Sequence, residues 1–153
     1  MALLRKFLAR SWADRVLLVR AFVLVSAVRI GLWVLPYRTV HRLADCPVAP
    51  RAMTPDEERR SLRRIIGAVE AMSRRLLGTK PCLTQALAAQ RILRQEGMDS
   101  TLRIGVAKDG QELLAHAWLE RGTRVLIGGG HSPRLYAPLV PMRPETPAHQ
   151  EPA

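Results

Sequence analysis

The first third of the chain carries apolar residues at helical spacing. Ser11 and Asp14 have the features of an N-terminal cap followed by an acidic first turn, and the apolar run behind them predicts a helix that Pro36 ends near Leu35. This helix is apolar around most of its circumference, so we expect it to pack against the rest of the chain or against a partner. Residues 36–53, which are rich in proline, are predicted to form a linker.

The next segment has a well-marked helix start and end. Thr54 is the expected N-cap, Pro55 occupies the first helical position, and Glu57 completes a capping box. Gly78 is the expected C-cap. One apolar stripe at spacings of three and four fills the helix between them: Leu62, Ile65, Ile66, Val69, Met72, Leu76 and Leu77. This pattern predicts a helix that packs inward and exposes an arginine-rich face.

A third helix is predicted from about Thr79 to Gln95, closed by Gly97. Beyond Gly97 the apolar period changes from that of a helix to two, which predicts strands. We expect one strand around residues 102–106, a second over 113–120 and a third over 124–127, with turns at Asp109-Gly110 and Arg121-Gly122. Helices followed by an antiparallel meander predict an α+β domain.

The predicted domain organisation has three parts. Residues 1–53 form a helical N-terminal region and linker, and residues 54–140 form the α+β domain. Residues 141–153 contain four prolines and almost no apolar side chains, so they are predicted to be a disordered tail.

The charge balance is strongly basic, with 24 Lys+Arg against 13 Asp+Glu and a formal net charge of +11. At 48% hydrophobic residues, the chain has enough apolar side chains to form a core, which excludes a wholly disordered protein. Two Phe and two Tyr are too few to interleave a basic surface with stacking side chains, so a nucleic-acid partner is not expected. A non-catalytic basic module that binds nucleic acid or anionic membrane remains the alternative interpretation of this composition.

The apolar segment between Val16 and Leu35 is interrupted by Arg20 and Arg29. A membrane-spanning helix needs about 20 apolar residues, and a central arginine is costly there. Neither a spanning helix nor a secretory signal is therefore expected, and the predicted location is the cytoplasm. Peripheral contact of this segment with a membrane remains open.

The candidate chemistry centres on a cysteine and a histidine. Cys46 and Cys82 are too few for a disulfide framework and match no zinc-ligand spacing, so no metal or cofactor is expected. Cys82 follows Pro81 in the first turn of the third helix, where backbone N–H groups and the helix dipole stabilise a thiolate. His116, on the second strand, is the candidate partner base. Alternatively, Cys82 is a small buried hydrophobic residue and His116 is a half-buried structural histidine.

Residues 81–129 carry a set of spaced motifs. Pro81-Cys82-Leu83 opens a helix, Leu102-Arg103-Ile104-Gly105-Val106 forms a strand, and Ala115-His116-Ala117-Trp118-Leu119-Glu120 precedes a turn. In these motifs the segment resembles the transglutaminase-like leader peptidases of lasso-peptide biosynthesis, specifically the peptidase half of the split B protein. The resemblance implies a transglutaminase-like core, in which a helix bearing Cys packs on an antiparallel meander bearing His.

The resemblance also implies a function. The chain would be a cysteine peptidase that removes the leader from a ribosomally synthesised lasso precursor peptide, without a cofactor. Its partners would be the leader region of the precursor, a leader-binding recognition-element protein and an asparagine-synthetase-like lasso cyclase. Cys82 would be the nucleophile and His116 the general base. Acyl transfer to an amine by a transglutaminase-type route uses the same two residues and remains an alternative.

A cysteine-peptidase site also needs donors for the oxyanion hole and a group that orients the histidine. The backbone N–H of Cys82 is expected in the oxyanion hole, with Gln85 as the candidate side-chain donor. The family usually orients the histidine with an Asp on the following strand, and this sequence departs from that pattern. If Glu120 pairs with Thr123, residue 116 lies opposite about residue 127, and no carboxylate follows there.

Four ways to orient the histidine therefore remain open. His131, a backbone carbonyl, or Glu120 or another acid could orient the ring, or the enzyme works as a Cys–His dyad. We expect the dyad. Glu120 lies four residues along the strand from His116, about 13 Å away, and is expected to be a surface acid beside the turn. Trp118 is expected either to line the site or to fill the core.

Overall fold

The computed structural model describes residues 11–47, 49–78, 81–109, 112–128 and 136–138. The helices come first along the chain: α1 (Trp12–Val34), α2 (Tyr37–Ala44), α3 (Pro55–Leu77) and α4 (Cys82–Gln95). The strands follow: β1 (Thr101–Asp109), β2 (Glu112–Arg121), β3 (Arg124–Ile127) and β4 (Ala137–Pro138). This order confirms the predicted α+β class.

Helix α1 begins at the predicted cap, where the side chain of Ser11 accepts a hydrogen bond from the backbone N–H of Asp14. One face of the helix is buried against α3 and α4. Arg64 of α3 binds the Asp14 carboxylate at 2.8 Å, and Arg20 binds Glu96, just beyond α4, at 2.7 Å. These partly exposed ion pairs add little stability, so apolar burial holds α1 in place.

A short helix lies where the sequence predicted a linker. Helix α2 starts directly after Pro36, whose φ of −58° suits a helix start, and it buries Val40 and Ala44 in the core. It ends at Asp45, whose carboxylate accepts hydrogen bonds from Gln90 at 2.9 Å and from Arg94 at 2.8 Å. The prolines that indicated a linker therefore bracket a helix that is tied to α4.

Helix α3 has the predicted capping box. The backbone N–H of Thr54 donates to the Glu57 carboxylate at 2.8 Å, and the Glu57 N–H donates to the Thr54 hydroxyl at 3.3 Å. The first of these bonds is the main reason why the pKa of Glu57 lies below its ordinary value of 4.5. The helix ends at Gly78, which has a φ of +65°.

The described strands form one antiparallel sheet in the order β3-β2-β1-β4. Leu102 of β1 pairs with Leu119 of β2, and both side chains join the core formed by the helices. Because side chains alternate along a strand, His116 and Trp118 lie on the opposite face. The sheet thus has a helix face, packed mainly on α4, and an outer face that carries the candidate base.

The pairing of β2 with β3 differs from the predicted register. Arg121 pairs with Arg124 and Glu120 with Val125, and an irregularity between residues 119 and 120 brings Leu119 opposite Ile127. The expected pairing of Glu120 with Thr123 is wrong, because Thr123 belongs to the turn. Gly122, at a φ of +58°, and Thr123 form a two-residue turn that makes Arg121 and Arg124 the first pair. As a result, Ile127 lies opposite Leu119 and not opposite His116, where the predicted register had put it.

Among the described residues, one helix is long and apolar enough to cross a membrane. It is α1, whose most apolar 18-residue window has a mean hydropathy of 2.0 and is 22% buried. The predicted tail, residues 141–153, lies outside the described residues. The predicted domain boundary at residue 54 stays a prediction.

Candidate active site

Cys82 is the first residue of α4, which agrees with its predicted place in the first turn of this helix, and its thiol is free and partly buried. The N-cap is Pro81, which has no side-chain acceptor, and the first turn contains no acidic residue. Among the described residues, no side chain therefore caps the N–H groups of this turn, and together with the helix dipole these groups favour an anion at the helix start. Gln85, one turn on, is partly buried, and its role as a donor stays a prediction.

His116 is held by the backbone that follows β3. Its Nε2 lies 2.5 Å from the carbonyl oxygen of Gly128. A carbonyl only accepts hydrogen bonds, so Nε2 carries the proton in this contact, and in a neutral ring Nδ1 is then the basic nitrogen. The bond thus fixes both the ring orientation and the tautomer that a general base needs.

The position of Gly128 requires a glycine for two reasons. Its φ of +85° lies in the left-handed region, and a Cβ there would stand 2.7 Å from the carbonyl oxygen of Ala117 and 2.9 Å from the Cβ of Trp118. A backbone carbonyl was one of the open alternatives for orienting His116, but the sequence did not indicate that Gly128 supplies it. The only signal was a glycine run that begins where β3 ends.

Two aromatic rings enclose His116 on the outer face. The ring centroid of Tyr136 lies 5.2 Å from that of His116, and the Trp118 ring lies nearly parallel to the imidazole at 6.2 Å. Trp118 and Tyr136 are both buried. Gly105, opposite His116 on β1, leaves the space for them, because a Cβ there would come within 2.9 Å of Tyr136 and 3.0 Å of the Trp118 ring.

Glu120 was expected to be a surface acid beside the turn, but its carboxylate is bound by two neighbouring side chains. Its carboxylate accepts hydrogen bonds from the indole Nε1 of Trp118 at 2.6 Å and from Arg103 at 3.2 Å. The side chain is partly buried, so it is not merely a surface acid beside the turn. Both carboxylate oxygens are engaged in this way, and Glu120 is connected to His116 through the Trp118 ring.

Cys82 and His116 lie on two elements that pack together, α4 and β2, but His116 is on the face of the sheet opposite to α4. Helix α4 packs on β2, with Cys82 at its first residue, while the imidazole lies on the outer face. Within the described ranges, no hydrogen bond joins the Cys82 thiol to His116, so their pairing stays a prediction. His131 lies outside the described residues. The described residues also contain no group of three His, Cys, Asp or Glu that could hold a metal ion.

The fold agrees with a comparison at the level of families. A model of the Transglutaminase-like superfamily matches residues 22–141, about three quarters of the chain. The chain belongs to the transglutaminase-like superfamily. This superfamily includes cysteine peptidases and acyltransferases. No curated protein and no solved structure matches the chain.

Proposed function

We propose that this chain is a cysteine peptidase that removes the leader from a ribosomally synthesised lasso precursor peptide. The observation that carries the proposal is the hydrogen bond from His116 to Gly128, which holds an imidazole in the tautomer of a general base in a member of a thiol-enzyme superfamily. Cys82 at the start of α4 supplies the candidate nucleophile. The finer claim of leader removal rests on the resemblance of residues 81–129 to lasso leader peptidases.

The proposed reaction has two steps. The Cys82 sulfur attacks the carbonyl carbon at the leader–core junction while Nδ1 of His116 takes the thiol proton. The proton passes to the leaving amine of the core, and the leader remains on Cys82 as a thioester. A water molecule, deprotonated by His116, then attacks the thioester, which releases the leader as a carboxylic acid and regenerates the thiol.

The negative charge on the attacked carbonyl oxygen needs donors. No described side chain caps the N–H groups of the first turn of α4, so the backbone N–H of Cys82 is a suitable donor, and Gln85 is the candidate second one. The reaction requires the Cys82 thiol to come within hydrogen-bond reach of Nδ1 of His116 in the substrate complex.

The proposed setting is the cytoplasm, together with a leader-binding recognition-element protein and an asparagine-synthetase-like cyclase. The exposed arginines of α3, among them Arg59, Arg60 and Arg63, would face the partner or an acidic leader. Reversing these charges to Glu should weaken the apparent affinity for the partner–leader complex, with the reversal of Arg74 and Arg75 at the other end of α3 as the control. Equal kinetics for both variants at moderate salt would remove this surface from the proposal.

The test is mass spectrometry of the precursor peptide encoded beside the gene, incubated with the protein with and without the neighbouring recognition protein. Cleavage at a single leader–core junction is expected for the wild type and for Cys46→Ala, which removes the other, exposed thiol. Cys82→Ala should give no cleavage. An amide formed with an added amine, in place of the free acid, would instead identify an acyltransferase. Cleavage that persists in Cys82→Ala would contradict the proposal.

A further inference from the structure

Helix α1 presents apolar side chains on two faces, and only one of them is covered by the domain. The inner face packs on α3 and α4 through residues such as Leu18 and Val25. The outer face has an exposed stripe that we call the α1 outer stripe: Trp12, Val16, Val19, Val23, Ile30 and Val34. These positions follow one another at spacings of three, four or seven, so they share one side of the helix.

The stripe is too apolar to be an ordinary solvated surface. Its side chains are between 40% and 75% exposed, and together they form a continuous apolar strip along the helix. A large exposed apolar patch on a folded domain marks an interaction site. In the structure the inner face of the helix is packed on α3 and α4, so the outer stripe is the face that is open to a ligand along the length of the helix.

An exposed tryptophan lies near each end of the strip: Trp12 is the first residue of the stripe, and Trp33 is next to its last residue, Val34. Trp12 and Trp33 are 75% and 77% exposed and lie about 32 Å apart at the rise of an α-helix. The guanidinium of Arg15 lies 5.9 Å from the Trp12 ring centroid, and that of Arg29 lies 5.2 Å from the ring of Trp33. Tryptophan beside arginine is the pairing that accumulates where acyl chains meet headgroups.

The positive charge around α1 indicates which kind of partner surface the α1 outer stripe would bind. Residues 1–44 contain eight Lys or Arg and one acid, Asp14, whose carboxylate is bound by Arg64. A second copy of this chain would bring the same basic residues against each other across a two-fold axis, which is unfavourable. An anionic lipid headgroup layer complements both the charge and the apolar strip.

We propose that the α1 outer stripe docks in the plane of an anionic membrane surface, with the inner face of α1 still packed on the domain. The valine and isoleucine side chains enter the acyl boundary, and the flanking arginines bind lipid phosphates. This docking does not depend on the chemistry at Cys82.

The test uses the full-length chain and two kinds of vesicle, phosphatidylcholine alone and phosphatidylcholine mixed with phosphatidylglycerol. The test variant is Val23→Glu/Ile30→Glu. The control is Leu113→Glu/Leu114→Glu, which places the same two negative charges on exposed leucines of β2. Since both variants change the net charge equally, their difference isolates the stripe from general electrostatic attraction.

We expect cosedimentation of the wild type with the anionic vesicles in preference to the neutral ones. Val23→Glu/Ile30→Glu should bind them at least about tenfold more weakly than the control does. Brominated acyl chains should quench the tryptophan fluorescence of the wild type and should not do so in Trp12→Phe/Trp33→Phe, because Trp118 is buried.

Three results would overturn the proposal. One is equal weakening in both Glu variants, which would show attraction by net charge alone. Another is the absence of quenching by brominated lipid. The third is a dimer in sedimentation velocity that dissociates in Val23→Glu/Ile30→Glu while the vesicles stay unbound, which would assign the stripe to a second copy. Circular dichroism of each variant establishes that the fold is kept.

Discussion

The Nε2 of His116 donates to the carbonyl oxygen of Gly128 at 2.5 Å. The family usually orients this ring with an Asp, and we expected a Cys–His dyad here; a main-chain oxygen, one of the alternatives left open, holds the ring instead. A carbonyl has no charge to gain or lose, so this orientation persists at acidic pH, where an aspartate would be protonated. The chain thereby holds the imidazole of the candidate base without a carboxylate on β3, the strand that follows.

Substituting Gly128 should disturb this bond. In Gly128→Ala the new methyl group would meet the Ala117 carbonyl at 2.7 Å, and the residue would be strained at a φ of +85°. We expect the free energy of unfolding to fall by about 2–5 kcal/mol. We also expect kcat for precursor cleavage to fall by more than tenfold, because His116 loses its fixed orientation.

The matched control for that prediction is Gly122→Ala. Gly122 also has a positive φ, of +58°, but a Cβ there meets nothing within 4 Å. Its cost should be limited to the backbone conformation, about 1–2 kcal/mol, with cleavage unchanged. Urea denaturation and single-turnover kinetics measure both variants, and equal effects of the two substitutions on kcat would refute the role given to Gly128.

Alanine substitution at two other glycines should change the free energy of unfolding in opposite directions. Gly105→Ala places a methyl group within 3.0 Å of the Tyr136 and Trp118 side chains and should lower the free energy of unfolding by about 1–3 kcal/mol. Gly67 lies within α3 with nothing within 4 Å of its Cβ position, so Gly67→Ala should raise the stability by about 0.5–1 kcal/mol. Thermal or urea unfolding checks both, and a stabilising Gly105→Ala would contradict the described packing.

The bond between Trp118 and Glu120 predicts a difference between two substitutions. Trp118→Phe keeps an aromatic ring beside His116 but removes the indole N–H from a carboxylate, which should cost about 2–3 kcal/mol. Glu120→Gln keeps an oxygen that can accept from the indole, so it should cost less, about 1 kcal/mol. Equilibrium unfolding of both variants measures which one loses more free energy of unfolding. A larger loss in Glu120→Gln would show that the contact of Glu120 with Arg103 stabilises the fold more than its bond to Trp118 does.

The capping box of α3 should make part of the stability depend on pH. Hydrogen bonds from Thr54 hold the pKa of Glu57 below its ordinary value of 4.5. A depressed carboxyl pKa contributes stability that is present above the unfolded-state pKa and is lost as the pH falls through the folded-state pKa. The wild type should therefore be more stable than Glu57→Gln at pH 7, and this difference should shrink as the pH is lowered below about 4.5. A constant difference in midpoint denaturant concentration across that range would contradict the assignment.

Local signals in the sequence were sufficient for much of the fold. Thr54 and Glu57 define a helix start through contacts three residues apart, and the change of period after Gly97 separates helices from strands. Helix α2 was missed because Pro36 and Pro47 dominate the composition around eight residues. Its stability comes from burying Val40 and Ala44, which are tertiary contacts and leave little local signal.

The surroundings of the site were harder to predict, because they depend on register. The sequence placed Cys82 at a helix start and His116 on a central strand, and the structure has both there. The irregularity after Leu119 shifts the register of β2 against β3, and no residue pattern in the sequence predicts this shift. The contact of Glu120 with Trp118 on its own strand was likewise missed, since a carboxylate beside a turn is usually exposed.

The central claim is that Cys82 is a nucleophile activated by His116. The most direct test is the rate of alkylation of each cysteine by iodoacetamide at pH 7, resolved by peptide mass spectrometry. Cys46 is exposed and Cys82 is only partly so, which makes Cys46 an internal reference for access alone. We predict that Cys82 reacts at least about tenfold faster than Cys46, and that His116→Ala abolishes this excess. Faster reaction of Cys46, or a Cys82 rate unchanged in His116→Ala, would contradict the account.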